Sequence, residues 1–163
     1  MTVVCNATPL INFAAINRID ILQATFGQIV IPQAVFNETT GDGFPGTPFV
    51  LEAIEKGWLQ ICPVLNNTPI IPVELDDGER EAILLALSTG AKRILLDERE
   101  ARLVAHQLGL QVIGTLGILL LAKNQQIIQQ MRPLLDAMIN IAQYWVSATL
   151  YEQVLKHAAE NVE

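Results

Sequence analysis

The chain has 163 residues, of which 51% are hydrophobic and only 6% aromatic, so it can form one domain with a mostly aliphatic core. It carries 10 basic and 17 acidic residues, giving a net charge of −7. This balance excludes strong nonspecific binding to nucleic acid over the whole surface, because such binding draws on lysine and arginine.

We expect a cytoplasmic protein that does not enter a membrane. The first residues show no basic region and no signal-type cleavage pattern. The longest apolar run, residues 118–122, is far too short to span a bilayer. Cys5 and Cys62 both lie inside apolar runs and are expected to be buried free thiols in a reducing compartment.

In the first half of the chain, strand-type runs alternate with helix-type runs. A buried strand at 2–5 precedes a helix that is expected to begin at Thr8, with Pro9 in its first position. The elements predicted next, in chain order, are a helix at 19–26, a strand at 28–31, a helix at 32–38, a loop at 39–48, a helix at 49–56 and a strand at 58–64.

The second half begins with a polar link at 66–72, after which Asp76, Asp77 and Gly78 are expected to cap a helix. The elements predicted next are a helix at 79–87, a strand at 93–96, a helix at 97–108, a strand at 110–113, a helix at 115–123, a helical segment at 127–142 in which Pro133 marks a break or a fresh start, a short strand at 144–146 and a last helix capped by Ser147.

This alternation predicts one α/β domain over residues 1–157. It should have three layers, with a central, mostly parallel, twisted sheet of four to five strands and helices on both faces. Residues 158–163 are polar and are expected to fray.

Residues 41–46 match the glycine pattern G-x-G-x-x-G. That pattern binds a dinucleotide only when its turn follows a strand and opens a helix. Here a predicted helix precedes it and Pro45 interrupts it. We therefore interpret the segment as a loop.

Four polar side chains stand at the ends of predicted elements. Asn6 follows the first strand and Asp97 follows the strand at 93–96, whereas Glu38 ends one helix and Glu79 begins another. Because parallel strands expose their carboxyl ends at one edge of the sheet, these side chains could share a pocket. The alternative is ordinary capping, since helix dipoles favour acids such as Glu79 and Asp97 in the first turn, and Glu38 could be a solvated helix end.

Four segments resemble the motifs of PIN domains in their order and spacing. Residues 3–11 form a hydrophobic strand running into Asn6-x-Thr8, where PIN domains have Asp-x-Ser/Thr. Residues 31–38 resemble a Pro-initiated helix that ends in an acid, and residues 77–83 resemble a helix that an acid opens. Residues 95–115 resemble the last motif, in which a strand-end Asp precedes a helix, a strand and a Gly-Thr step. The resemblance is closest to a prokaryotic PIN-like branch related to VapC-type toxins.

The resemblance implies a Mg²⁺- or Mn²⁺-dependent endoribonuclease with an RNA substrate, a toxin role and a cognate antitoxin protein. A homodimer is also expected, because the apolar runs at 10–15 and 118–122 could provide a dimer face; the default interpretation of both runs is burial inside one domain. The catalytic and metal-binding residues of the nuclease would be Glu38, Glu79 and Asp97, with Asn6 in the place of the first acid. Thr8 would orient that group through its hydroxyl, and Glu98 would add a further acceptor.

Two further residues have a functional and a plain interpretation. Arg102 could meet a phosphate or pair with Glu98 four residues earlier, and we favour the ion pair. Thr115 could contact a phosphate at a helix start, but we favour simple N-capping. The scattered aromatic residues are predicted to pack in the core or at an interface rather than to stack on bases; they are Trp58, Tyr144, Trp145 and Tyr151.

Asn6 departs from the PIN pattern, because an amide oxygen can bind Mg²⁺ but brings no negative charge. Metal affinity should fall, and catalysis could be weak or absent. The competing hypothesis is therefore a catalytically degenerate PIN-fold module that acts by binding proteins. A receiver or phosphatase-like domain is disfavoured, since an amide at position 6 cannot form an aspartyl-phosphate.

Overall fold

A computed structural model describes residues 2–41, 43–65, 71 and 74–160. The strands of this part are β1 (Val3–Cys5), β2 (Ile29–Ile31), β3 (Leu59–Ile61), β4 (Arg93–Leu95) and β5 (Gln111–Ile113). The helices are α1 (Ala7–Ala15), α2 (Asp20–Phe26), α3 (Gln33–Thr39), α4 (Thr47–Glu55), α5 (Asp77–Thr89), α6 (Arg99–Gln107), α7 (Thr115–Asn124), α8 (Arg132–Ile141) and α9 (Ala148–His157). None of these helices has the length and apolarity needed to cross a membrane.

The five strands form one parallel sheet in the order β3-β2-β1-β4-β5. The chain builds outward from β1 to β3 and then crosses back to add β4 on the other side of β1. The carboxyl ends of β1 and β4 therefore meet at the switch point of the sheet, where open α/β folds bind their ligands.

Both faces of the sheet are buried, which explains why its strands are short apolar runs. Val3 and Cys5 point into a core formed with α1, α2, α7 and α8, whereas Val4 points into a second core formed with α5 and α6. This three-layer arrangement confirms the predicted fold class.

Two helix starts differ from the sequence prediction. The first helix begins at Ala7 with Asn6 as its N-cap, not at Thr8, so Thr8 and Pro9 lie inside its first turn. The helix expected at Asp97 begins at Arg99, because Glu98 has an extended backbone. Asn6 and Asp97 therefore each lie between the end of a strand and the first residue of the next helix.

Three connections also differ. The predicted loop at 39–48 is shorter, since α3 continues through Thr39 and α4 begins at Thr47. The helical segment expected from 127 begins only at Arg132, with Pro133 in its first turn, so the fresh start expected at Pro133 is confirmed whereas residues 127–131 are not helical. Residues 144–146 form no strand in the described structure. The predicted link at 66–72 lies outside the described residues except for Ile71.

The end of the chain is held by Glu160, whose side chain is 8% exposed. Its carboxylate accepts hydrogen bonds from Lys123 Nζ at 2.8 Å and from the backbone N–H groups of Met131 at 2.6 Å and Arg132 at 2.9 Å. The prediction of a frayed tail is thus wrong for residues 158–160, because the carboxylate of Glu160 binds the first N–H groups of α8. Residues 161–163 lie outside the described part.

We expect Glu160→Gln to lower the free energy of unfolding by roughly 2 kcal/mol, because a charged hydrogen-bond acceptor is lost from a buried site. Burial by itself would raise the pKa of Glu160, but the bonds from Lys123 and the two N–H groups outweigh it and lower the pKa. The stabilisation should therefore be present above the unfolded pKa and be lost as pH falls through the lower folded value. Urea denaturation of wild type and variant at several pH values measures this, with exposed Glu152→Gln as control; equal stabilities would contradict it.

Candidate functional site

Asn6 lies at the switch point of the sheet, where its N–H donates to Leu95 O of β4 at 2.9 Å. Its side chain is 2% exposed. Asn6 Nδ2 donates to Glu98 Oε2 at 3.3 Å, and the Thr8 hydroxyl donates to the other oxygen of Glu98. Asn6 Oδ1 is buried without a hydrogen-bond partner among the described residues. Such an atom costs about 1–3 kcal/mol, so it marks a place that suits a cation or a water.

Gly78 lets the first turn of α5 approach this place closely. A Cβ on Gly78 would lie 2.2 Å from Glu38 Oε1 and 3.4 Å from Asn6 Oδ1. The carboxylate of Glu38 and the free amide oxygen of Asn6 therefore face the same small space, which we call the Gly78 cradle. A side chain at position 78 would fill it.

A capping box fixes Glu79 beside the cradle. The Glu79 N–H donates to Asp76 Oδ1 at 2.7 Å, and the Asp76 N–H donates to Glu79 Oε1 at 3.1 Å. This reciprocal pair begins α5 and holds Glu79 in a buried position. Glu79 thus serves the fold with one oxygen, which confirms the capping interpretation, and its role in a metal site stays a prediction.

The acids of this region are close enough to affect one another. Desolvation chiefly raises the pKa of Glu38, and Asp76, Glu98, Glu79 and Asp77 raise it further. Burial also raises the pKa of Glu79, against the lowering effect of the Asp76 N–H, and the charges of Asp76 and Glu98 add to the rise. Crowded carboxylates of this kind favour the binding of a cation.

Asp97 occupies the end of β4 but has a different set of partners. Its Oδ1 accepts from the Thr115 N–H at 2.9 Å and from the Tyr144 hydroxyl at 3.3 Å, and its Oδ2 accepts from the Thr115 hydroxyl at 2.5 Å. Asn12 Nδ2 donates to the same Thr115 oxygen at 3.1 Å. A Cβ on Gly114 would lie 2.9 Å from Asp97 Oδ1, so glycine is needed there. Asp97 therefore anchors the start of α7.

The structure brings together Asn6, Glu38, Glu79 and Glu98, whereas Asp97 lies at the same carboxyl edge with both oxygens already bonded. Within the described ranges, no three His, Cys, Asp or Glu side chains form a ready-made metal site.

The plain interpretations of Arg102 and Thr115 need correction. Exposed Arg102 makes no ion pair with the Glu98 carboxylate in the described structure; its backbone N–H donates to Glu98 O at 2.9 Å instead. Thr115 is not an N-cap, since α7 is capped at Gly114 and the Thr115 hydroxyl donates to Asp97.

Sequence reasoning gave no role in the site to Asn12, Gly78 or Tyr144. Tyr144 reaches Asp97 across 47 residues of chain, which no local pattern reveals. Gly78 carried a signal, because a glycine in the first turn of a helix is a poor helix former and suggests a close approach.

The comparison with known families agrees with the four motifs. A family model described as the PIN domain matches residues 2–160. No curated protein and no solved structure matches the chain significantly. Because the matched residues include the whole described sheet and every residue of the candidate site, the chain belongs to the PIN-domain family.

Proposed function

We propose that this PIN-domain protein is a divalent-metal-dependent endoribonuclease that uses Mg²⁺ or Mn²⁺. The observation that carries the proposal is the unpartnered, buried Asn6 Oδ1, which shares the Gly78 cradle with the Glu38 carboxylate. Glu79 and Glu98 lie close enough to Glu38 to raise its pKa, and Asp97 follows β4 at the same carboxyl edge of the sheet.

The residues present fit a small divalent ion. Mg²⁺ keeps several of its waters and commonly takes only one or two carboxylates from the protein, so a cage of three acids is not required. Glu38 and Asn6 would hold the ion, and it would supply positive charge at the scissile phosphate together with a more acidic water. Asn6 is neutral, so Glu98 supplies the missing negative charge one hydrogen bond further out.

The remaining residues of the site orient these ligands. Thr8 and Asn6 both donate to Glu98 and so fix its carboxylate. Asp97 accepts hydrogen bonds from Thr115, the first residue of α7, and from the Tyr144 hydroxyl, which fixes both residues at the end of β4. We assign Asp97 a positioning role, in addition to any water-mediated contact with the ion.

The missing charge at Asn6 favours one alternative, a catalytically degenerate PIN-fold module that binds proteins. A toxin role and a cognate antitoxin follow from the resemblance to VapC-type proteins. These two, together with the homodimer and the cytoplasmic location, stay predictions. Size measurement of the purified protein tests the dimer, and inhibition of its RNase activity by a co-expressed binding protein tests the antitoxin.

The proposed activity is tested by incubating a labelled single-stranded RNA with the protein in Mn²⁺. We expect slow cleavage that stops in EDTA and falls by about 100-fold in Glu38→Gln, because that variant loses the one charged ligand in the cradle. Glu55→Gln, an exposed acid at the end of α4, is the matched control. Cleavage that persists in EDTA, or an unaffected Glu38→Gln variant, would rule out the proposed site.

Gly78→Ala should separate the site from the fold. The added methyl group would collide with the tip of the Glu38 side chain, which can swing away at little cost. We therefore expect Tm to change little, while metal-dependent cleavage falls at least about tenfold because the carboxylate is displaced. Gly41→Ala is the control, since a Cβ there meets Asn37 O at an ordinary 3.6 Å. Full activity in Gly78→Ala would show that the cradle is not the site.

A further inference from the structure

Trp145 is the most exposed large hydrophobic residue in the described part of the chain, at 82%. It lies between α8 and α9 and directly follows Tyr144, whose hydroxyl touches Asp97. The sequence-based expectation of packing in the core or at an interface is met in the core by Trp58, which is 6% exposed, whereas Trp145 does not pack in the core. An indole in water beside a candidate site gains nothing for the fold, so it is available to a ligand.

A groove lies along α6, the helix that begins two residues after Asp97. Its volume is 380 Å³ and its lining includes Arg99, Arg102, Leu103 and His106. These four residues follow helical spacing, so their side chains project from one face of α6. In a chain of net charge −7, two arginines on one face make a local surface that attracts a polyanion.

The groove and the indole are both connected to Asp97, at the carboxyl edge of the sheet. Helix α6 begins two residues after Asp97, and Tyr144 connects Asp97 to the segment that carries Trp145. Arg102 lies near enough to Tyr144 to act on its pKa, where its charge opposes the raising effects of burial and of Asp97. A strand that crosses the end of β4 can therefore reach both features.

We propose that a single strand of RNA lies along this edge, with phosphates on Arg99 and Arg102 and an unpaired base stacked on Trp145. Stacking on an aromatic ring accepts any base, and arginine on a helix face binds phosphate without reading sequence, so the strand is held by its shape and charge. That this strand is the substrate rests on the proposed function. Binding of the strand does not require cleavage.

Binding is tested in EDTA, where no cleavage occurs, by titrating unlabelled oligouridine into the protein and following tryptophan fluorescence. Because Trp58 is buried, quenching by the RNA should report on Trp145. We expect Trp145→Ala to lose the quenching and, by anisotropy with a labelled oligonucleotide, to bind at least about fivefold more weakly. Leu51→Ala, which trims another exposed hydrophobic residue on α4, should bind as wild type.

The arginines are tested by salt dependence. Two phosphate contacts to a single strand give a slope of log K against log salt of about −1.4, and Arg99→Ala/Arg102→Ala should remove most of it. The matched control is Lys56→Ala/Lys92→Ala, which loses the same charge just before β3 and β4, at the opposite edge of the sheet. An RNA duplex of equal length should not quench Trp145, because its bases are already stacked.

Two results would overturn the proposal: unchanged RNA binding in both the tryptophan and the double arginine variants, or equal quenching by the duplex. The first would assign the exposed edge to a protein partner instead. These outcomes are separable from failure of the proposed function. A wild-type protein that binds the strand through Trp145 and never cleaves it in Mn²⁺ would refute the nuclease alone.

Discussion

Millimolar Mn²⁺ is expected to raise the Tm of the protein by about 5–10 °C, and Glu38→Gln is expected to remove most of that rise. An ion present at 100 times its Kd stabilises the folded state by about 2.7 kcal/mol, and a chain of this size gains roughly 2–4 °C per kcal/mol. The effect should be large here because the ion would relieve several crowded carboxylates and pair with the free Asn6 Oδ1.

Without metal, Glu38→Gln should raise the Tm of the protein instead of lowering it. Desolvation and the neighbouring acids raise the pKa of Glu38 above its ordinary value of 4.5. The folded protein then holds this proton more tightly than the unfolded chain, so stability falls as pH rises from 4.5 through the higher folded pKa. Glu38→Gln removes this loss, so at neutral pH we expect the metal-free variant to melt above wild type.

Thermal melts of wild type, Glu38→Gln and the control Glu55→Gln, each with EDTA or Mn²⁺, measure both halves of this prediction. An absence of any metal shift in wild type would refute the metal site. A shift of equal size in Glu38→Gln would place the ion elsewhere in the molecule.

Asn6→Asp should produce the second large effect. In EDTA we expect a loss of about 3 kcal/mol, because a new buried carboxylate would face Glu38 and would replace the donor that now binds Glu98. In Mn²⁺ the added charge should tighten metal binding by more than tenfold and raise the rate of RNA cleavage. Metal titration followed by Tm, together with the cleavage assay, tests the two halves separately.

The exposed residue Asn140 on α8 supplies the control, since Asn140→Asp makes the same chemical change away from the site. Mn²⁺ binding no tighter in Asn6→Asp than in wild type would mean that the amide is not at the metal. Cleavage by Asn6→Asp that wild type lacks altogether would instead favour the degenerate module.

The sheet could be predicted from sequence because each strand is a short apolar run between clear helix signals. Both faces of β1 are buried. The uninterrupted apolar run of Val3, Val4 and Cys5 predicts this from the sequence alone. The first residues of the helices were harder to predict than the strands. The prediction carried α8 too far toward the N-terminus over residues 127–131, although Pro133 did mark the fresh start that the structure has at Arg132.

The candidate site could be predicted in part. Asn6 and Asp97 follow neighbouring strands, so strand order alone brings them to one edge. The hydrogen-bond partners of each side chain at this edge are residues far away in the sequence. Asp97 is engaged by Thr115 and Tyr144, and it is Glu98 that joins Asn6, a difference of one residue that the motif could not resolve.

A crystal of the protein soaked in Mn²⁺, with data collected at the manganese absorption edge, tests the metal site most directly. We expect an anomalous peak in the Gly78 cradle, bonded to Glu38 Oε1 and Asn6 Oδ1, with waters between the ion and Glu79 or Asp97. An empty cradle at saturating Mn²⁺, or a peak bound only by residues elsewhere, would contradict the account.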